Sequence, residues 1–144
     1  CAISQDIISS FCSETEEDHK DTLSLMDYVK FDYGFMFKYS ERPNTKAARK
    51  FEDDIPEEIK SRRLTEIIEK QRAHSMMHNQ SRIGKTYKVL AEGLSKRSDK
   101  HLFGRTTYNS VVVFPKKQYK PGDYVMVKIT DCNSATLIGE SVDE

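Results

Sequence analysis

The sequence lacks an apolar run long enough to span a membrane, and no basic-then-apolar leader opens it. We therefore expect a soluble, cytoplasmic chain without a secretion signal. Cysteine is scarce: Cys1, Cys12 and Cys132 form no CxxC or other close pair, which argues against a disulfide framework or a zinc site and predicts reduced thiols. Because the chain opens with Cys1 rather than Met, inside an apparent secondary-structure element, we expect a fragment of a longer protein.

Charge of either sign is balanced over the whole chain but not along it. The formal net charge is zero and 32% of the residues are charged, while 37% are hydrophobic, enough for a modest core. Residues 1–83 hold 13 basic against 16 acidic side chains, and residues 84–144 hold 10 against 7, so the two segments carry −3 and +3. This asymmetry indicates an appended module that binds a polyanion.

The first 48 residues predict a strand, a helix, a second strand and a loop. Residues 3–11 read as a buried strand, the Thr15 and Asp18 capping box begins a helix that runs to about Lys30, and aromatic residues alternate through residues 31–39. The inner face of the helix is expected to hold Thr22, Leu25, Met26 and Val29. A unit of this kind belongs to a parallel sheet, whose ligand sites lie at the carboxyl ends of the strands. Its open strand edges predict self-association of an isolated fragment.

A long polar helix and then a β-rich segment follow. Pro56 with acidic residues after it predicts a helix start, and this helix is polar enough to lie on a surface and bridge two units. Five short strands are predicted after it, at residues 85–92, 103–107, 110–114, 124–129 and 135–142. They predict a small barrel of the oligonucleotide-binding kind. The domains are therefore expected at residues 1–54, 55–82 and 83–144, the second being the bridging helix.

Two apparent motifs lack the neighbouring residues that their functions require. His74 and His78 lie one helical turn apart, but no glutamate between them completes a zinc-protease pattern, which favours surface histidines. The tripeptide Gly84-Lys85-Thr86 ends like a phosphate-binding loop, yet Asn79 stands where the first glycine belongs. Neither motif predicts a site.

Cations and aromatic residues are interleaved in the C-terminal segment. Cations suit phosphates and aromatic faces suit unstacked bases, so the pattern predicts binding of single-stranded or looped RNA. A solvated loop surface with core aromatics, Phe114 among them, is the alternative that this composition leaves open. The RNA-contact candidates are Lys96, Arg97, Lys100, His101, Arg105, Tyr108, Lys116 and Lys117.

Residues 1–83 hold no nucleophile with a base and no metal cluster that would make a self-sufficient active site. Glu14 and Arg42, at the ends of neighbouring predicted strands, are candidate ligand contacts, and each is equally open to a role as a cap or a surface ion pair.

Two stretches, IISSFCSETEED at residues 7–18 and FKYSERPNTKAA at residues 37–48, resemble a known family. They are similar to the end of the radical S-adenosylmethionine barrel of methylthiotransferases, whose usual forms are GFPGETEED and YSxRPGTxA. Residues 84–139 resemble the TRAM domain that ends these enzymes. The resemblance implies an α/β fragment, the last strand-helix-strand of a TIM-like barrel, followed by an all-β, five-stranded, OB-like TRAM barrel.

The pair Arg42-Pro43 favours the family members that act on tRNA, and among these the ones that add a 2-methylthio group to N6-(dimethylallyl)adenosine next to the anticodon. The resemblance implies two 4Fe-4S clusters and S-adenosylmethionine in the full-length parent, with the tRNA anticodon stem-loop and the upstream domains as partners. A stand-alone RNA-binding or translation-associated module and the ribosomal-protein aspartate methylthiotransferase are the alternatives.

The part of the cofactor pocket that falls in this fragment is expected near Phe11, Glu14, Tyr39, Ser40 and Arg42. The cluster cysteines of the family are absent here, so the fragment is expected to bind no cofactor and to be inactive alone. The sequence departs from the family forms where Ser10, Cys12 and Ser13 replace Gly, Pro and Gly, and where Asn44 replaces Gly. Because Asn tolerates positive φ, the Asn44 turn is expected to persist.

Overall fold

The computed structural model describes residues 1–142 of the chain. Within them the elements in order are β1 (Ser4–Ser9), α1 (Glu16–Val29), β2 (Tyr33–Lys38), α2 (Lys46–Lys50), α3 (Glu57–Arg82), β3 (Thr86–Ser95), β4 (Ser98–Arg105), β5 (Val111–Pro115), β6 (Tyr124–Cys132) and β7 (Thr136–Ser141). The chain divides into two compact units inside α3. The N-terminal unit is Ile3–His74, and the C-terminal unit runs from Ser75 onward and includes Cys1–Ala2.

The N-terminal unit confirms the predicted strand-helix-strand order. Strands β1 and β2 pair in parallel, from Ser4 opposite Tyr33 to Ser9 opposite Lys38. Helix α1 begins at the predicted capping box, in which the Thr15 hydroxyl accepts a bond from the Asp18 N–H at 3.1 Å and the Asp18 carboxylate accepts one from the Thr15 N–H at 2.9 Å. These bonds satisfy backbone donors that the first turn of a helix leaves without partners.

The prediction that β1 is a buried strand is wrong for one of its faces. The pairing of β1 with β2 puts Ile8 beside Phe37 on the same face as Phe35, and these side chains are 62%, 59% and 62% exposed. The opposite face packs on α3, where the Gln5 amide donates to Gln71 Oε1 at 2.6 Å. A sheet of two strands covered by helices on one side leaves the other side bare, which the pattern of one strand does not reveal.

The predicted inner face of α1 also needs correction. Met26 is fully buried, but Leu25 is exposed, and the second buried side chain is His19. His19 and Met26 are seven residues apart, two turns along one side of the helix, and Leu25 lies about 100° away from Met26. The stripe that packs inward is therefore narrower and more polar than the apolar residues indicate.

Helix α3 buries a stripe of mainly polar side chains, which its composition did not predict. Ile67 is its one fully buried hydrophobic residue among those described, and the buried polar residues on the same stripe are Lys60, Arg63, Gln71, His74, Ser75 and Asn79. Burial of such groups is tolerable because they are paired: Lys60 with Asp53, and Arg63 with Glu14 and Glu16.

The C-terminal unit confirms the predicted five strands, which close into a barrel in the order β3-β4-β5-β7-β6. Every neighbouring pair is antiparallel except β5 and β7. Inward-facing side chains fill the barrel, and Phe114 is among them, as expected. The core is Val89, Ala91, Leu102, Val112, Phe114, Val125, Val127, Ile129 and Leu137.

Residues 93–100 fall between the predicted strands at 85–92 and 103–107, and the prediction of a break there is wrong. Strands β3 and β4 continue into a hairpin whose turn is Lys96-Arg97. The register shifts between Ala91 and Gly93 and again between Leu94 and Ser95, so the strands bend there without separating. The Gly, Asp and Lys residues of this stretch have low strand propensity, which hides a hairpin that strand pairing stabilises.

Candidate functional site

A pocket of about 600 Å³ lies in the N-terminal unit, at the carboxyl ends of β1 and β2. This is where a parallel sheet places its ligand sites, and the volume is typical of a small-molecule site. Three of the five predicted cofactor contacts, Tyr39, Ser40 and Arg42, line it. The full lining is Ile8, Phe37, Lys38, Tyr39, Ser40, Arg42, Thr45 and Ala47.

Local hydrogen bonds shape the loop that forms the pocket wall. The Tyr39 N–H donates to the Ser9 carbonyl at 2.8 Å, which extends the parallel ladder past the end of β2. Thr45 caps α2 by accepting from the Ala48 N–H at 3.2 Å, and its hydroxyl donates to the Arg42 carbonyl at 2.8 Å. Asn44 adopts a φ of 67°, as expected for a residue in the place of glycine. The loop backbone is therefore fixed on both sides of Arg42.

A buried cation supports the same loop from α3. Lys60 is 3% exposed, and its ammonium contacts Asp53 Oδ1 at 2.6 Å, donates to the Tyr39 carbonyl at 3.3 Å and lies 5.4 Å from the centre of the Tyr39 ring. Burial raises the pKa of the Tyr39 phenol, and the neighbouring Cys12 adds to the effect. The phenol, already neutral at ordinary pH, therefore stays neutral to a higher pH than a free tyrosine does.

The other two predicted cofactor contacts, Phe11 and Glu14, are not among the residues that line the pocket. The Phe11 ring packs edge-on against Tyr39 at 5.0 Å and against Phe51 at 5.9 Å. Glu14 Oε2 accepts the Ser10 N–H at 2.9 Å, and its other oxygen lies 3.4 Å from Arg63. Glu14 thus stabilises the loop after β1 through its bond to the Ser10 backbone, and the Phe11 ring packs against the Tyr39 ring and helps to fix its position.

Sequence reasoning missed a charged network between α1 and α3. Arg62 and Arg63 both bind the Glu16 carboxylate, at 2.7 and 3.2 Å, and the Arg62 guanidinium with Arg63 beside it lowers the pKa of Glu16 to about 2. The buried His19 ring bonds Glu66, and this bond with that from Arg62 lowers the pKa of Glu66. The signal in the sequence for this network was the presence of charged residues at helical spacing in both α1 and α3. Among residues 1–142, no group of three or more His, Cys, Asp or Glu side chains is placed to hold a metal ion.

The eight RNA-contact candidates separate into two groups on the barrel. Six of them surround the β3–β4 turn and the end of β5, where the Lys116 N–H donates to the Lys100 carbonyl at 2.9 Å. We call these six the hairpin-tip cluster. The exposed carboxylate of Asp99 lies in the same hairpin, but the lysine and arginine side chains outnumber it, so positive charge predominates there. The members of the hairpin-tip cluster are Lys96, Arg97, Lys100, His101, Lys116 and Lys117.

The remaining two candidates, Arg105 and Tyr108, lie at the opposite end of β4. Lys100 and Arg105 are five residues apart on one strand, about 17 Å at 3.3 Å per residue. Arg105 contacts Glu92 at 3.4 Å and donates to Asn109 Oδ1 at 3.1 Å. The Tyr108 ring has the Arg82 guanidinium 5.5 Å from its centre and Tyr87 against its edge. Arg105 and Tyr108 contact side chains of the barrel, although Arg105 is itself exposed. In the hairpin-tip cluster, Lys96, Arg97, Lys100 and Lys117 are exposed, and His101 and Lys116 are half-buried.

Comparison with known proteins gives two findings. Residues 80–142 match the model of the TRAM domain, so the chain contains this domain. Along nearly its whole length the chain is also similar to proteins named tRNA-2-methylthio-N(6)-dimethylallyladenosine synthase. It is 60% identical over 142 residues to the synthase of Christiangramia forsetii, 57% over 140 residues to that of Amoebophilus asiaticus and 56% over 142 residues to that of Bacteroides fragilis.

These alignments cover 97–99% of this chain but only 29–31% of the three synthases. The chain therefore spans about 30% of the length of the curated relatives that it matches. Within residues 1–142, no helix combines the length and the apolar character needed to cross a membrane.

Proposed function

Because the chain contains a TRAM domain and aligns along nearly all its length with tRNA-2-methylthio-N(6)-dimethylallyladenosine synthases, we propose that it is the C-terminal part of such an enzyme. The parent enzyme adds a 2-methylthio group to N6-(dimethylallyl)adenosine next to the anticodon, in the cytoplasm. In this proposal the barrel binds the anticodon stem-loop and the N-terminal unit contributes to the catalytic domain. The names of the relatives support tRNA over a ribosomal protein as the substrate.

The hairpin-tip cluster is the observation that carries the RNA-binding proposal. Lys96 and Arg97 occupy an exposed turn, and Lys100 and Lys116 are joined to it through the pairing of β4 with the end of β5. Several cations converging on one end of a small barrel form the kind of electrostatic surface that holds a phosphate backbone. His101, whose ring bonds the Ser98 hydroxyl at 3.1 Å, adds an aromatic ring to this surface.

The pocket at the ends of β1 and β2 fits part of an S-adenosylmethionine site. Phe37 and Tyr39 supply apolar and aromatic walls, Ser40 a hydroxyl, and Arg42 a cation suited to a carboxylate. When bound in the parent enzyme, S-adenosylmethionine supplies the radical and the methyl group. In this chain, Tyr39, Ser40 and Arg42 would bind and orient it, while Phe11 and Glu14 keep the walls in place. The three free cysteines and the other described residues do not fit an iron-sulfur cluster, so we assign them no cluster.

The exposed apolar face of the two-stranded sheet favours the proposal that this unit is part of a larger catalytic domain. Ile8, Phe35 and Phe37 are each about 60% exposed, so burying the remainder would gain about 1–2 kcal/mol per side chain, which favours further structure over this face. The relatives are long enough to supply it, since the chain spans about 30% of their length. We propose that upstream strands of the same barrel cover these side chains.

The experiment that tests the RNA-binding proposal compares two double variants of equal charge change. Lys96→Gln with Arg97→Gln removes two cations from the hairpin-tip cluster. Lys20→Gln with Arg72→Gln removes two exposed cations from the N-terminal unit. Binding of the chain to a fluorescently labelled RNA hairpin is measured by anisotropy. The first variant is expected to raise Kd by about 5- to 30-fold, at up to about 1 kcal/mol for each exposed ionic contact.

The second variant is the control and should bind as the unmodified chain does. Equal weakening in both variants would mean that RNA senses only net charge, and the hairpin-tip cluster would then lose its assignment. Failure of the unmodified chain to bind the RNA hairpin would contradict the proposed function itself.

A further inference from the structure

The outer surface of β3 and β6 brings aromatic, apolar and cationic side chains together. The two strands pair antiparallel, with Thr86 opposite Lys128, Lys88 opposite Met126 and Leu90 opposite Tyr124. Since Val89, Ala91, Val125 and Val127 fill the interior, these six residues face outward together. We call them the β3–β6 face. It combines an aromatic ring, two apolar side chains and two lysines.

Tyr124 is the most unusual member of this face. It is 65% exposed although it lies on a strand of a closed barrel, where a ring of this size normally packs. The Lys88 ammonium lies 4.8 Å from the centre of the ring, and Met126 is also exposed. The ring is therefore presented to solvent beside a cation, with an apolar neighbour on the same strand.

The charge of the β3–β6 face favours an anionic occupant. Lys88 and Lys128 are exposed, and none of the six residues is acidic. The exposed carboxylate of Glu92, further along β3, lies 3.4 Å from the Arg105 guanidinium, which offsets its charge. On the adjoining strand β7, Glu140 lies opposite Lys128, so Lys88 is the lysine whose charge is less offset. An exposed aromatic ring with a neighbouring lysine suits a nucleotide, because the ring stacks on the base and the ammonium pairs with its phosphate.

We propose that the β3–β6 face is a second RNA-contact surface, on which Tyr124 stacks against an unpaired nucleobase and Lys88 pairs with the adjacent phosphate. This inference rests on the proposed function, because it takes RNA as the ligand of the barrel. The β3–β6 face would distinguish unpaired from paired bases, whereas the hairpin-tip cluster would bind the phosphate backbone through charge. Neither Tyr124 nor Lys88 lies in the turns where cations and aromatic residues are interleaved in the sequence.

The test uses the absence of tryptophan from the chain. Tyr124→Trp places a single fluorophore on the β3–β6 face, and stacking of a base on the indole is expected to quench its emission. Tyr28→Trp is the matched control, because Tyr28 is 86% exposed on α1 in the other unit. An RNA hairpin with an unpaired loop should quench the Tyr124→Trp variant only, and a fully paired RNA duplex should quench neither.

Affinity measured with labelled RNA hairpin completes the test. Tyr124→Ala should raise Kd by about 5- to 150-fold, the range expected for loss of one base-aromatic stack, and Tyr124→Phe should stay within about twofold of the unmodified chain. Because Tyr124 lies outside the core, both variants should keep the thermal unfolding midpoint of the parent. The Tyr124→Trp variant reports on the same surface independently if the Ala variant fails to fold.

The outcomes separate this inference from the proposed function. If the RNA hairpin binds but Tyr124→Ala binds equally well and the Tyr124→Trp variant is not quenched, the second surface is overturned and the RNA-binding proposal stands. If the duplex quenches as strongly as the hairpin, stacking on an unpaired base is excluded. If the indole emission changes with protein concentration alone, the occupant is another copy of the chain and the inference is wrong. If no RNA binds, both fail together.

Discussion

Two serines at the end of β1 adopt backbone conformations that normally belong to glycine. Ser10 has a φ of 65° and Ser13 a φ of 69°. Both occupy positions at which the methylthiotransferase motif GFPGETEED has Gly. A side chain in this left-handed region costs of the order of 1 kcal/mol. The surrounding bonds hold the conformation: the Ser10 N–H donates to Glu14 and the Ser13 N–H to Asp54 Oδ1 at 2.8 Å. The chain thus keeps the turn that the glycines would allow, at a cost in stability.

Ser13→Gly is therefore expected to stabilise the chain by about 0.5–1 kcal/mol, because it relieves the left-handed strain while the backbone bond to Asp54 stays. Chemical denaturation followed by circular dichroism measures the change. Ser24→Gly is the matched control, since Ser24 is exposed within α1, where glycine costs stability. A Ser13→Gly variant that is less stable than the parent would show that the serine side chain, and not the strain, dominates at this position.

At single positions, the sequence predicted those residues whose role depends on local geometry. The Thr15 capping box and the Asn44 turn follow from neighbours within a few residues, and both are present. Glu14 illustrates what cannot be predicted in this way: its carboxylate binds Arg63, which lies 49 residues along the chain. His19 and Glu66 are similarly distant in sequence and meet only because α1 and α3 pack together.

At the scale of elements, close approach of backbones decides where the barrel strands bend. A Cβ added to Gly104 would lie 2.2 Å from the Leu90 carbonyl oxygen, so β3 and β4 approach each other at a point that only glycine allows. Gly139 lies in the same relation to Lys128. The alternation of side chains predicted five strands, but the register shifts that carry β3 into its hairpin depend on such contacts between strands.

Gly104→Ala should destabilise the C-terminal unit by about 2–4 kcal/mol, because the new methyl group collides with backbone that cannot move without breaking the ladder. Gly93→Ala is the comparison: its Cβ would meet the end of the Phe103 ring at 3.1 Å, and a ring can shift. Thermal unfolding of the two variants measures the difference. Equal stabilities would show that the strands adjust freely around Gly104.

For the whole molecule, the two units differ in how completely each one buries its own sheet. The C-terminal unit closes its sheet on itself and fills it with apolar side chains, so its strand edges are paired. The N-terminal unit has a sheet of two strands with one apolar face exposed. Self-association through this sheet stays a prediction for the isolated chain, as do the domain boundaries at residues 54 and 82. The closed barrel could be predicted from strand count and turns, whereas the bare face required the pairing of β1 with β2.

The measurement that tests the central claim most directly is the salt dependence of RNA binding by the intact chain. If the hairpin-tip cluster neutralises phosphates, log affinity should fall linearly with log salt at a slope of about −0.7 for each phosphate contacted. The double variant Lys96→Gln with Arg97→Gln should then show a slope shallower by about 1.4. A slope near zero for the unmodified chain would contradict the assignment of this barrel as the RNA-binding part of a tRNA methylthiotransferase. The same slope in the variant would instead show that other cations of the barrel, and not the hairpin-tip cluster, pair with the phosphates.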